Sequence, residues 1–243
     1  MAWRHPRRTN CKALEPRERR PNSTLANRGT GFSQILPGAI ASETLERMHP
    51  AAGTPSMIGD RHKRLREATH EAHCAAERIV EAAGYFEDCH RYACYLARMH
   101  LFYRKLFQAC QQSERMQLEQ WHIPQRIAQL EADLADLGQQ PLPFDAPIAP
   151  SMTRISASGL LGILYVILGA TLGARVLLAQ TRQLALPDGR GQRYLTDLAH
   201  SDAWPRFLKC LEAEPVDVDR ILVPAAIATF QAITDHLAEP AMI

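Results

Sequence analysis

The chain has 243 residues, 46% of them hydrophobic and 22% charged, which is enough apolar material for a sizeable core and excludes a wholly disordered, collagen-like or disulfide-scaffold protein. Formal net charge is +2, but residues 1–30 hold eight Lys or Arg against Glu15 and Glu18, so the remainder of the chain is net acidic. The basic character belongs to the first segment, which argues against nucleic acid as a partner of the folded body.

Residues 1–58 contain Pro6, Pro16, Pro21, Pro37, Pro50 and Pro55 and show no apolar period of either kind, so they are predicted to be a disordered basic extension preceding a helical domain over 59–243. Met57 opens a sequence of globular type, and the extension reads as an over-long frame rather than a regulatory arm. No apolar run follows the basic start, as a secretory signal requires, and the two glutamates fit poorly with a transit peptide. The six cysteines form no CxxC pair, which in a chain of this length reads as free thiols in a reducing compartment, the cytoplasm.

From residue 60 the apolar period is helical. Leu65, Ala68, Ala72, Ala75, Ala76 and Ile79 predict a helix over 61–83, ending near Gly84. Tyr92, Tyr95, Leu96, Met99, Phe102, Tyr103 and Leu106 predict a second over 86–114. A third covers 122–137 with Gly138 as its stop, and a linker with four prolines follows over 139–150. Further helices are predicted over 153–182, 201–213 and 217–238. Strand alternation and hairpin turns are missing, so the expected class is all-α. Within the fourth helix, Gly159 to Ala174 is a run of 16 residues without a charge, closed by Arg175. That falls short of the ~20 residues that span a bilayer, and the run is read as the buried central helix of a bundle.

Two features carry possible chemistry. In the first helix His73 and Glu77 are four residues apart and share a face. An imidazole that ligates a metal through one nitrogen commonly donates its other N–H to an acceptor, which fixes the tautomer and raises ligand basicity. The same spacing is equally that of an ordinary surface pair. In the fourth helix Gly169 and Gly173 share a face beside Ala170 and Ala174. A glycine costs about 1 kcal/mol relative to alanine inside a helix, so the pair points to close approach of another backbone or of a flat ligand. Glu67 with His70 and Glu87 with His90 have Glu-x-x-His spacing, but the fourth helix has no Glu to complete a di-iron set. His70 and His73 are three apart rather than the four of a zincin helix. No nucleophile elbow, Walker loop or dinucleotide fingerprint is present.

The run Leu65-Arg66-Glu67-Ala68-Thr69, followed by His73 and Glu77, resembles the first helix of haem oxygenases. Tyr165 to Ala174, YVILGATLGA, resembles the glycine-containing distal helix of the bacterial, biliverdin-forming members. Shorter echoes are Tyr92-x-x-Tyr95-Leu96, Asp133-Leu134 before Gly138, Trp204-x-x-Phe207 and Ala228-Thr229-Phe230, so the resemblance covers residues 60–238. It implies a helical bundle with haem, both cofactor and substrate, sandwiched between proximal and distal helices, and oxidative cleavage of that haem by O2 and reductant to biliverdin, CO and Fe2+. It implies His73 as proximal iron ligand, Glu77 supporting its ring, and Gly169, Ala170 and Gly173 as the distal, catalytic positions. Arg66 and His70 become candidates for the haem propionates, with Arg206 and Lys209 as cations of unfixed register on another helix. Phe230 becomes a candidate pocket aromatic, a position that core packing explains as readily.

The chain also departs from the pattern. Ala170 stands where mammalian-type members have Asp and bacterial relatives often Ser. Leu168 replaces a common Glu, and Ala174 replaces the second glycine of a Gly-Gly pair. Proton delivery then falls to backbone-anchored water, helped by Thr171 if that side chain faces the pocket. The expected partners are haem, O2 and an electron donor such as a ferredoxin or a reductase, with neither nucleic acid nor membrane. A non-catalytic haem-binding or haem-sensing protein on the same fold is the alternative, and binding of another flat aromatic molecule is a third.

Overall fold

The computed structural model of the protein describes residues 60–110, 112–144, 155–186 and 190–238. The extension assigned to residues 1–58 and the second half of the proline-rich linker lie outside them. Among the described residues there is no strand, and the elements are α1 (Asp60–Ala82), α2 (Cys89–Ala109), α3 (Gln112–Gln120), α4 (Ile123–Asp136), α5 (Ala157–Gln180), α6 (Arg193–His200), α7 (Ala203–Ala213) and α8 (Asp219–Ala238). Short 3-10 turns cover Thr181–Gln183 and Val216–Val218.

The all-α expectation holds, and the reason is visible in α5. Its residues are apolar on nearly every face, and Leu160, Ile163, Leu164, Ile167 and Leu168 are each no more than 2% exposed. Ser156 caps its start by accepting from the Gly159 N–H at 3.1 Å. The helix packs against α6, α7 and above all α8, and α8 in turn packs against α1 and α2. The α5–α8 contact is close because of Gly162: a Cβ there would lie 2.4 Å from the Leu222 carbonyl oxygen and 2.8 Å from the Ala226 nitrogen. Thus α8 is the common partner that sets α1 relative to α5.

Arg61 fixes the first turn of α1. Its buried guanidinium donates to Asp219 Oδ1 at 2.8 Å, to the Glu214 carbonyl at 2.7 Å, to the Pro215 carbonyl at 2.8 Å and to the Leu211 carbonyl. It therefore satisfies the carbonyls left over at the end of α7 while pairing with the first residue of α8. Asp133 does comparable work on the opposite side. Fully buried on α4, it accepts from the backbone N–H groups of Arg193 and Tyr194, each at 2.9 Å, and so caps α6 from sixty residues away. Burial pushes its carboxyl up, and the two N–H groups and the Arg193 guanidinium oppose that.

Several boundaries differ from the expectation. The helix predicted over 86–114 breaks at Cys110, whose backbone is extended (φ −77°, ψ 142°), and α3 starts separately. The segment 193–200, to which no element was assigned, forms α6. Gly138 does stop the preceding helix: its φ is +69°, and the Gln139 N–H reaches back to the Leu134 carbonyl at 2.9 Å. The charge-free run ends at Arg175 as read, and the helix predicted over 153–182 spans Ala157–Gln180. The helix continues to Gln180 because Arg175 extends sideways and donates through Nε to the Ala199 carbonyl at 3.1 Å.

The length argument against a membrane span is corrected accordingly. Ala157–Gln183, with mean hydropathy 2.0, and Asp219–Ala238, with 1.3, are long and apolar enough to cross a bilayer. In the first, 56% of the apolar window is buried against the rest of the protein, as in the core helix of a bundle. The five cysteines within the described residues are free thiols.

Candidate functional site

On α1, the apolar stripe faces α8 and leaves the opposite edge open. His73 sits at the border between the two, its side chain 53% exposed, with Nδ1 3.6 Å from Glu77 Oε2. The separation is just beyond hydrogen-bond length, and a small rotation of either side chain closes it. The His73 N–H aimed at Glu77 is the main reason that this carboxyl lies below its ordinary value, against the opposing effect of partial burial. With Nδ1 directed at the carboxylate, Nε2 is the nitrogen left to ligate. Phe230, 9% exposed on α8, meets the imidazole edge-on, with ring centroids 5.5 Å apart and planes at 80°. One turn before His73, the Thr69 hydroxyl donates to the Leu65 carbonyl at 2.8 Å, and its nearness to Tyr165 of α5 partly offsets the upward push of burial on that phenol.

The glycines of α5 divide by neighbour. Gly162, Gly169 and Gly173 are spaced seven and four residues apart and so lie along one face. At Gly162 the neighbour is the backbone of α8. At Gly169 it is the Trp204 ring on α7, which an added Cβ would meet at 3.5 Å. At Gly173 there is nothing within 4 Å. The face therefore opens toward its C-terminal half, where Ala170, Leu172 and Gly173 are exposed. The close approach expected of the glycine pair is an approach of Trp204 at Gly169 and open space at Gly173.

Thr171 is 7% exposed, and its hydroxyl donates to the Leu168 carbonyl at 2.7 Å, so its proton is engaged within the helix. Leu168 is fully buried. Arg66 and His70 are exposed on α1. Arg206 lies 5.2 Å over the Trp121 ring, and Lys209 is exposed on the same helix.

Sequence reasoning quoted Trp204, Thr69 and Tyr165 as part of a resemblance without giving them contacts. It missed Gly162, although its spacing to Gly169 places both on one face. It also passed over Cys74, whose Sγ lies 3.7 Å from a ring nitrogen of His70 and which joins His73 and Glu77 in a group of donors within 4.8 Å of one another.

No family model matches the chain, and no curated protein matches it by sequence. Among solved structures, the fold is similar to that of the haem oxygenase of Neisseria meningitidis, determined in NO- and CO-bound forms, with a TM-score of 0.56, 20% identity, and coverage of 74% of this chain and 94% of that one. At that identity the likeness concerns the fold: the described residues adopt a haem oxygenase-like helical bundle.

Proposed function

We propose that this bundle binds haem and cleaves it with O2 and reducing equivalents to biliverdin, CO and Fe2+, as a haem oxygenase. The observation that carries the reading is the half-exposed His73, its Nδ1 turned to Glu77 and its ring held edge-on by Phe230, on the helix of this fold that the sequence resemblance marks as proximal. The residues fit the group. A neutral imidazole with one free nitrogen and a carboxylate behind it is a donor unit suited to haem iron, and the open face at Gly173 leaves room for a flat ring.

When bound, haem supplies the iron for O2 activation and the macrocycle that is oxidised. His73 Nε2 would hold the iron. Glu77 accepts from Nδ1–H, fixes the tautomer and makes the imidazole a stronger donor. Phe230 limits rotation of the ring. On the distal side Ala170 and Gly173 present backbone and no bulk, with Gly169 set by Trp204. Protons reach this face through water on the backbone carbonyls, since Ala170 has no polar group and the Thr171 hydroxyl is engaged with Leu168. Arg66 and His70 pair with the propionates. The working domain is 59–243, the location cytoplasmic without a membrane, and the electron donor a ferredoxin or a reductase.

A second reading, haem binding without turnover, is favoured by one observation: neither Ala170 nor Thr171 offers a free side-chain proton at the distal positions. One experiment separates them. Purified protein receives one equivalent of hemin, then ascorbate or a reductase system in air. Loss of the Soret band with rise of a broad red biliverdin band is the expected result. A persistent haem complex assigns the protein to binding alone, and absence of an imidazole-ligated spectrum overturns both readings.

A further inference from the structure

The face of α1 that carries His73 holds more donors than one iron ligation uses. His70, His73, Cys74 and Glu77 form two pairs four residues apart, and each member of one pair is three or four residues from a member of the other. All four therefore lie on one patch of helix surface. His73, Cys74 and Glu77 bring one ring nitrogen, one sulfur and one carboxylate oxygen within 4.8 Å of one another. The His73–Glu77 separation of 3.6 Å and the His70–Cys74 separation of 3.7 Å approximate the donor-to-donor distances, roughly 3.4–3.5 Å, that follow from tetrahedral zinc with ordinary bond lengths. His73 and Glu77 are half-exposed, so an ion reaches the patch without opening the bundle.

We propose that His73, Cys74 and Glu77 form a binding site for a thiophilic divalent cation of the zinc class, with His70 or water as the fourth donor. The mixture of sulfur, imidazole and carboxylate selects zinc-like ions over calcium or magnesium, which prefer all-oxygen sets. On binding, the Cys74 thiol gives its proton to solvent and the thiolate ligates the metal. The site takes His73 Nδ1 and the Glu77 carboxylate, the pair that supports Nε2 in the haem reading. Resting on the haem reading above, a zinc-class ion therefore removes the Nδ1–H to Glu77 support and crowds the imidazole, so it weakens haem capture at His73.

The test uses the full chain without haem, thiols reduced, titrated with Co2+ as a spectroscopic stand-in for zinc. Expected are a thiolate-to-cobalt charge-transfer band in the near ultraviolet and the strong visible bands of tetrahedral cobalt, displaced by stoichiometric Zn2+. Cys74→Ser should abolish the charge-transfer band, and Glu77→Gln should weaken Co2+ binding about tenfold. Absence of the band in the wild-type chain, or its survival in both Cys74→Ser and Cys74→Ala, overturns the site. Hemin titration with and without Zn2+ tests this weakening separately. A raised apparent Kd for hemin supports the shared His73, and an unchanged Kd overturns it. A chain that binds Co2+ through Cys74 but never binds hemin supports the metal site and rejects the haem reading alone.

Discussion

Phe230 and His73, from helices at opposite ends of the described chain, meet edge to face with their ring centroids 5.5 Å apart. An aromatic edge against an imidazole contributes about 0.5–1.5 kcal/mol, and here it also restricts the angle at which Nε2 is presented. Phe230→Leu keeps most of the volume, so the fold should survive with a cost below about 1.5 kcal/mol. Haem affinity should fall several-fold, and the low-temperature electron paramagnetic resonance spectrum of the ferric complex should broaden as the imidazole gains freedom. Unchanged affinity and line shape would remove Phe230 from the positioning of His73.

Glu77 bears on the electronics of the same ring. His73→Ala should abolish the imidazole-ligated spectrum outright, whereas Glu77→Gln should retain it. The latter should lower haem affinity by roughly tenfold and raise the ferric/ferrous potential, because a neutral amide donates less density through the ring than a carboxylate. The pH behaviour follows from the lowered carboxyl. Its stabilising pairing is complete above the ordinary value of 4.5 and is lost only as pH falls through the lower folded value. The ligated spectrum of the wild-type complex should therefore hold as pH drops toward 4.5, and an equal response of wild type and Glu77→Gln throughout would contradict the pairing.

Periodicity alone located the long helices α1, α5 and α8. It overlooked α6 because eight residues carry too little period to register, and because the cap that starts α6 is Asp133, distant in sequence. It ran α2 into α3 because Cys110 is apolar and fully packed, so the break interrupts no pattern; the extended backbone there is a tertiary effect. In the candidate site, the His73–Glu77 spacing was legible because both residues lie on one helix. The different neighbours of Gly162, Gly169 and Gly173 were not, since three glycines on one face look alike until α7 and α8 are in place.

One buried and one partly buried histidine give the bundle an acid-side weakness. His100 is fully buried, with Nε2 2.9 Å from Glu131 Oε1, and burial lowers its pKa although Glu131 works the other way. His62, edge-on to Trp204 at 5.5 Å, is lowered by burial and then by Arg66. A histidine with a lowered folded pKa binds fewer protons folded than unfolded, so stability is fullest above 6.5 and declines as pH falls from there toward the folded value. Thermal unfolding at pH 8, 6.5 and 5 should show the midpoint dropping below pH 6.5, and His100→Gln should flatten that drop. An identical slope in the variant would show that His100 does not contribute.

The glycines of α5 make opposite predictions for the same substitution. At Gly162 a methyl group would stand 2.4 Å from the Leu222 carbonyl oxygen, a backbone atom that cannot yield without moving α8. Gly162→Ala should cost about 1–3 kcal/mol, and the unfolding midpoint should fall by roughly 2–4 °C for each kcal/mol. At Gly173 a methyl group meets nothing within 4 Å, so alanine brings only its helix preference and should stabilise the haem-free protein by up to about 1 kcal/mol. If the open face at Gly173 receives haem, bulk there acts against the ligand. Gly173→Ala should then raise the midpoint while slowing haem cleavage, and Gly173→Leu should slow it further or redirect the product. Stabilisation with unaltered rate and product would mean that haem does not lie against this stretch of α5. A fall in the haem-free midpoint of Gly173→Ala would mean that the face is closed in solution.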